Sequence, residues 1–206
     1  MYHYTHMRNM SGIIASNGLF CDRACQDAGV PVRGVAYNDL KAKRAQTAVE
    51  AGPGGFLNDY APFYFGPRAP MLLPYKNGRV TGKSENQDEI IYLVTSTEVV
   101  VELGLSFAFT DGHPIKEPRA FYSSLGQLNQ VNLSIMHSKD WYDTDQFPDR
   151  KRQRQAEFLV WQALPWQAVS VLAVRTPMMA TWIQQLISSL SHKPVCEIHP
   201  EWYYDD

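Results

Sequence analysis

The chain has only three cysteines, Cys21, Cys25 and Cys196. An odd number with one close pair speaks against a disulfide framework and makes a reducing compartment the simpler expectation. Cys21 and Cys25, with their third partner far away, lack the second ligand pair that would make a zinc site specific. No His, Asp or Glu spacing supplies a metal triad either, so no metal is expected. Neither GxGxxG nor GxxxxGK[ST] occurs, which leaves Rossmann-type dinucleotide binding and P-loop phosphate binding unsupported. GxSxG is also missing, and with it the usual serine-nucleophile elbow.

Long apolar runs are lacking as well. Residues 99–109 are interrupted by Glu102 and Ser106, and residues 158–174 by Gln162, Pro165 and Gln167, well short of a membrane span. The opening Met1-Tyr2-His3-Tyr4-Thr5-His6 has no basic n-region leading into an apolar h-region. The expectation is a cytoplasmic protein with no membrane contact. A surplus of positive charge is absent too: 19 Lys and Arg stand against 21 Asp and Glu, a net charge of -2. Any binding of nucleic acid must therefore come from local patches. Two are present, Lys41-Lys43-Arg44 and Arg150-Lys151-Arg152-Arg154, and charge alone favours a solvated helix face for either.

What the chain does have is 206 residues, 45% of them hydrophobic, enough to bury a core as one domain over 1–206. Residues 2–5 carry strand-forming aromatics, with His3 and Thr5 on one face and Tyr4 on the other. A capped short helix follows near 10–15 and ends at Asn17-Gly18. Residues 37–50 favour a helix, with Asn38 or Asp39 as its N-cap. Strands are expected at 62–65, 90–95, 107–110, 169–174 and 195–199, and helices at 97–103 and 178–190. The region 66–72 reads as a proline-bounded loop, and 115–150 is irregular. Short strands interleaved with helices, without a regular βαβ rhythm, indicate an α+β domain.

Several polar groups stand where strands or turns expose them, among them His3, Thr5, Arg44, Tyr64, Arg68, His113 and Glu157. Glu157 is the most telling, because it follows a basic run yet opens the apolar Phe158-Leu159-Val160. A carboxylate there needs a partner or a purpose. The residues alone leave it between an ion pair with Arg154 or Arg175 and a catalytic role.

Taken together, these tracts resemble the DarT-type DNA ADP-ribosyltransferases, toxins of bacterial toxin–antitoxin pairs. The likeness runs through Tyr2-His3-Tyr4-Thr5-His6-Met7-Arg8-Asn9, Gly12-Ile13-Ile14, Gly18-Leu19, and Ala36-Tyr37 leading to Arg44. It continues through Asp59-Tyr60-Ala61-Pro62-Phe63-Tyr64-Phe65-Gly66-Pro67-Arg68-Ala69-Pro70-Met71-Leu72, Phe109-Thr110-Asp111-Gly112-His113 and Trp141-Tyr142-Asp143, to Arg152-Gln153-Arg154-Gln155-Ala156-Glu157-Phe158-Leu159-Val160. One departure is Gln130-Val131-Asn132-Leu133-Ser134, which lacks an Asp-Trp pair found in many relatives.

The resemblance implies an ADP-ribosyltransferase fold, a split central β-structure around a cleft for NAD as co-substrate. It implies NAD contacts at His3, Tyr4, Thr5, Gly12, Leu19, Arg44, Tyr64 and Met71, with 31–49 as the NAD-binding element. Residues 107–157 match the loop region that receives the DNA base. Glu157, Arg44 and His113 match catalytic positions, and Gly12 a close-approach position. Although the family's mechanism gives the matching arginine a part in deprotonation, a guanidinium is a poor free base, and anion binding is the more conservative role for Arg44. The implied reaction is transfer of ADP-ribose to a base in single-stranded DNA, most naturally thymidine, with release of nicotinamide. The implied partners are single-stranded DNA, held by Arg150, Lys151, Arg152, Arg154 and Tyr142, and a macrodomain antitoxin of DarG type. An RNA- or protein-directed transferase, or a silent nucleic-acid-binding domain of the same fold, are the alternatives.

Overall fold

The computed structural model describes residues 1–82 and 84–204. Lys83, Asp205 and Asp206, part of the expected 1–206 unit, lie outside the described residues. Strand β1 (Tyr2–His6) leads through α1 (Met10–Ala15), β2 (Gly18–Phe20) and α2 (Asp22–Asp27) to α3 (Asn38–Arg44) and β3 (Tyr60–Tyr64). Next come α4 (Leu72–Lys76), β4 (Ile90–Val94), α5 (Thr97–Glu102), β5 (Phe107–Thr110), β6 (Phe121–Tyr122) and α6 (Arg150–Gln153). The chain then forms β7 (Glu157–Trp161), β8 (Ala163–Pro165), β9 (Val171–Val174), α7 (Pro177–Ile187) and β10 (Val195–Ile198).

Eight strands form one sheet in the order β10-β9-β4-β1-β3-β7-β5-β6, and β2 pairs with β8 in a separate ribbon. The α+β class expected from the sequence is what forms. The inner strands bury both faces. On β4, Ile91 and Leu93 join a core that Ile183 and Ile187 of α7 cover, while Ile90 and Tyr92 pack on the opposite side with Leu72, Tyr75 and Tyr203. Each such side chain contributes about 1.5–3 kcal/mol of apolar burial, so a run without polar residues, as in Ile90–Val94, is what a central strand requires.

The sheet is split between β1 and β3. β1 pairs with β4 along all five residues from Tyr2↔Val94 to His6↔Ile90, but with β3 only at Tyr2↔Tyr64. Pro62 explains the parting, since it has no N–H to offer the neighbouring strand. Its carbonyl is taken instead by the imidazole of His3, at 2.8 Å from Nδ1. A side chain thus stands in for the ladder, and the strands diverge around it.

Three local expectations change. The helix foreseen over 37–50 stops at Arg44, and Tyr37 rather than Asn38 or Asp39 occupies its N-cap position. Beyond it the backbone finds other partners: the Leu57 N–H donates to Thr47 O at 3.0 Å, the Val49 N–H donates to Gly55 O at 2.9 Å, and Ala48 bridges Phe56. Helices α2 and α4 form where no helix was anticipated; α2 is capped by the Cys21 thiol, which accepts from the Ala24 N–H at 3.4 Å. A close approach fixes one connecting segment. At Gly66 an added Cβ would lie 2.1 Å from the carbonyl oxygen of Met136. Gly66→Ala is therefore expected to destabilise the fold by about 1–3 kcal/mol; a denaturant unfolding midpoint equal to that of the parent protein would contradict this packing.

Candidate active site

Arg44 closes α3 and Glu157 opens β7, 113 positions apart in the chain, and the fold brings them together. Arg44 Nη1 donates to both carboxylate oxygens of Glu157, at 3.0 and 2.9 Å. Glu157 sits opposite Tyr64 in the β3–β7 register and is only 5% exposed. Burial pushes its carboxyl pKa up, and the adjacent Arg44 charge and hydrogen bonds pull against that rise. Burial likewise disfavours the charged guanidinium, but Glu157 outweighs it and holds Arg44 protonated. The ion pair left open by the sequence is thus made with Arg44, not with Arg154 or Arg175. Arg44 Nη2 is buried with no hydrogen-bond partner among the described residues. A buried donor left unpaired is costly, so a ligand acceptor there is worth more than one at the surface.

Two histidines flank this pair, and both are held neutral. His3 donates from Nδ1 to Pro62 O, because a carbonyl can only accept, which leaves Nε2 with a free lone pair. Its pKa is lowered, chiefly by burial. His113 has the opposite tautomer: its Nδ1 accepts from the Ile115 N–H at 3.1 Å, so Nε2 carries the proton. Burial, together with the charges of Lys116 and Arg44, pushes its pKa down to about 4.

These groups line a cleft of about 700 Å³, within the range of small-molecule and cofactor sites. His3, Tyr4, Thr5, Gly12, Leu19, Arg44, Tyr64 and Met71 all border it, as do His113 and Glu157. So do residues 31–36 with Leu40 and Lys41, from the segment expected to bind NAD. Tyr4 and Tyr64 lie nearly parallel, ring centroids 6.1 Å apart and planes 12° apart. The Thr5 hydroxyl is already engaged, accepting from Asn9 Nδ2 at 3.0 Å. Gly12 meets no protein atom within 4 Å of where a Cβ would stand, so the fold itself makes no close approach there.

Sequence reasoning did not single out Asn9 or Asp22. Asn9 pins the 31–36 segment against β1, accepting from the Arg33 N–H at 2.8 Å and donating to Arg33 O at 3.0 Å. Asp22 borders the cleft and meets Lys41 at 3.5 Å. Their signals were faint, since one asparagine after a strand and one aspartate at a helix start are ordinary caps in any sequence.

The expected DNA-binding cations divide. Lys151 is exposed and lies over the Trp141 ring at 5.7 Å, Arg150 stacks on Phe147 at 4.3 Å, and Tyr142 is 57% exposed. Arg152 and Arg154 are drawn inward. Arg152 bridges Asp149 at 2.7 Å and Asp111 at 2.9 Å. Arg154, 4% exposed, donates to the carbonyls of Ser138 and Pro67. Their donors hold residues 111–154 together rather than lying open along a surface. Among the described residues, no group of three or more His, Cys, Asp or Glu could hold a metal ion, and no helix is long and apolar enough to cross a membrane.

The split sheet around this cleft defines an ADP-ribosyltransferase. Within that class the chain belongs to the DarT family, whose model, described as ssDNA thymidine ADP-ribosyltransferase, matches residues 2–204. A DNA ADP-ribosyl transferase of Thermus sp. (strain 2.9) is 32% identical over 206 residues, 99% of this chain and 95% of that protein. The solved structure of Thermus sp. 2.9 DarT in complex with ADP-ribosylated ssDNA aligns with a TM-score of 0.90 at 32% identity, covering 98% of this chain and 95% of that one. The same Thermus protein in complex with NAD+ aligns with a TM-score of 0.82 at 29% identity, over 98% of this chain and 96% of that one.

A neutral, half-buried His113 has a consequence for stability. Below about pH 6.5 the unfolded chain binds a proton that the folded site refuses until about pH 4, so stability falls as pH drops through that window. The loss is on the order of 1.4 kcal/mol per pH unit traversed. His113→Asn, which keeps an acceptor for the Ile115 N–H, is expected to show a shallower acid loss in denaturant unfolding between pH 7 and 4. Parallel curves for the two proteins would place His113 in water instead.

Proposed function

We propose that this chain transfers ADP-ribose from NAD to thymidine in single-stranded DNA, acting as the toxin of a toxin–antitoxin pair. The Arg44–Glu157 pair carries this reading: a buried carboxylate at the cleft, clamped by a guanidinium with one buried donor unspent. The bond between nicotinamide and ribose C1′ breaks, its electron pair leaving with nicotinamide, and positive charge develops on the sugar. Glu157 stabilises that charge in a site with little water, where a fixed carboxylate acts strongly. A thymine ring nitrogen attacks C1′ and gives up its proton. Arg44 is already protonated and held so, which leaves Glu157, with its upward-shifted pKa, as the proton acceptor.

Arg44 Nη2 takes an anionic oxygen of the pyrophosphate or of the thymine anion. His113 offers its Nε2–H to a thymine carbonyl oxygen, and His3 offers its Nε2 lone pair to a sugar hydroxyl. Tyr4, Tyr64 and Met71 wall the nicotinamide side, while Leu19, Thr5 and the open space at Gly12 line the remainder of the NAD site, with 31–49 as its NAD-binding element. Thymine N3 is hidden by pairing in a duplex, so a single strand is the accessible acceptor. Residues 107–157 receive that strand, with Lys151 and Arg150 on its phosphates and Tyr142 stacking a base. Arg152 and Arg154 keep this region in place from within. We place the reaction in the cytoplasm, where NAD and DNA are both at hand, with a DarG-type macrodomain as the opposing partner.

Mass spectrometry of thymidine oligonucleotides incubated with NAD tests the acceptor; label on protein or RNA alone would overturn it. Glu157→Gln is expected to lower kcat by roughly 10²–10³ while the fold survives. Joint replacement of Arg150 and Lys151 by alanine is expected to weaken single-strand binding and to reduce the log–log salt slope by about 1.4, two phosphate contacts at about 0.7 each. An unchanged slope would remove both from the DNA path.

A further inference from the structure

We infer that the buried hydroxyl of Thr110 is a positioning group that sets Glu157 and His113 as one unit. The inference rests on the roles just given to those two residues. β5 and β7 pair from Phe107↔Val160 to Phe109↔Phe158, and the ladder ends there. One step further along, Thr110 would face Glu157. In place of a backbone carbonyl, the Thr110 Oγ1 accepts the Glu157 N–H at 3.0 Å. The same hydroxyl donates to the carbonyl of Gly112 at 2.7 Å. Thr110 is completely buried, so neither bond has water as a substitute.

One oxygen therefore fixes the first residue of β7, which carries the carboxylate, and the peptide immediately before His113. The turn has little slack to reach that position otherwise. An added Cβ at Gly112 would lie 2.2 Å from Arg152 Nη1, and the His113 N–H is already committed to Arg152 O at 2.9 Å. Only a side chain that both accepts and donates can serve both ends from this place. Threonine and serine can, whereas valine has threonine's shape without the oxygen. Losing the oxygen leaves the Glu157 N–H and the Gly112 carbonyl free to turn away. The carboxylate and the imidazole then lose their mutual setting while the NAD-binding walls at β1 and 31–36 keep theirs.

The test is steady-state kinetics with NAD and a thymidine-containing oligonucleotide on the parent protein, Thr110→Val and Thr110→Ser. Thr110→Val is expected to lower kcat about tenfold or more with KM for NAD changed by no more than about threefold, and Thr110→Ser to recover most of kcat. In combination with His113→Ala, the valine variant is expected to lose little beyond the larger single effect, because the two act as a unit. If Thr110→Val melts below the assay temperature, Thr110→Cys replaces it with the same expectation, its thiol being a weak donor and acceptor. Unchanged kcat in the valine variant, an equal fall in the serine variant, or losses that simply multiply in the double variant each overturn the coupling. A parent protein that forms no DNA adduct would instead sink the functional reading on which the inference stands.

Discussion

The site depends on a carboxylate buried at the edge of an apolar strand and clamped there by a guanidinium. Burial pushes Glu157 toward its protonated form, and the guanidinium of Arg44, reaching across from α3 with both carboxylate oxygens on one nitrogen, opposes that push. The two are mutually dependent: a lone buried charge of either sign is expensive, whereas the pair is sustainable and leaves one guanidinium donor for a ligand. Anchoring is therefore built into both ends, Arg44 at the last turn of a helix and Glu157 at the first residue of a strand paired on both sides.

A second constraint opens the space those groups serve. Pro62 cannot donate to β1, and His3 meets its carbonyl with a side chain, so two strands that begin in register part company. The parting places His3, Tyr4 and Tyr64 at the cleft rather than in a closed sheet. It also selects the tautomer of His3, because the nitrogen that bonds the carbonyl must carry the proton. His113 is fixed the other way by a backbone N–H. The cleft thus offers one imidazole acceptor and one imidazole donor, both uncharged, beside a charged pair.

A chain with net charge -2 meets an anionic polymer through a few cations only. The structure narrows those further. Arg152 and Arg154 spend their donors on Asp111, Asp149 and backbone carbonyls, which gives a stretch of more than thirty residues with little regular structure a set of internal ties. Arg150 rests on the Phe147 ring and Lys151, exposed, on the Trp141 ring. Adjacent residues of one basic run thus serve different ends according to which side of a short helix they leave from.

The sequence by itself determined the α+β class, the buried strand at β4 and the helix at α7, because each has apolar periodicity long enough to outweigh local alternatives. It also marked Glu157, since a carboxylate at the head of an apolar run is conspicuous in one dimension, and the family resemblance carried Arg44, His113 and the other residues that line the cleft. Short elements escaped it. The six residues of α2 and the five of α4 are too few for periodicity to register, and the helix over 37–50 ended early because Thr47, Ala48 and Val49 found partners across a turn. Only the tertiary structure decided that the partner of Glu157 is Arg44 and that Arg154 points inward. Ion pairing depends on which side chains converge in space, and nothing in local spacing encodes a contact between residues 113 positions apart.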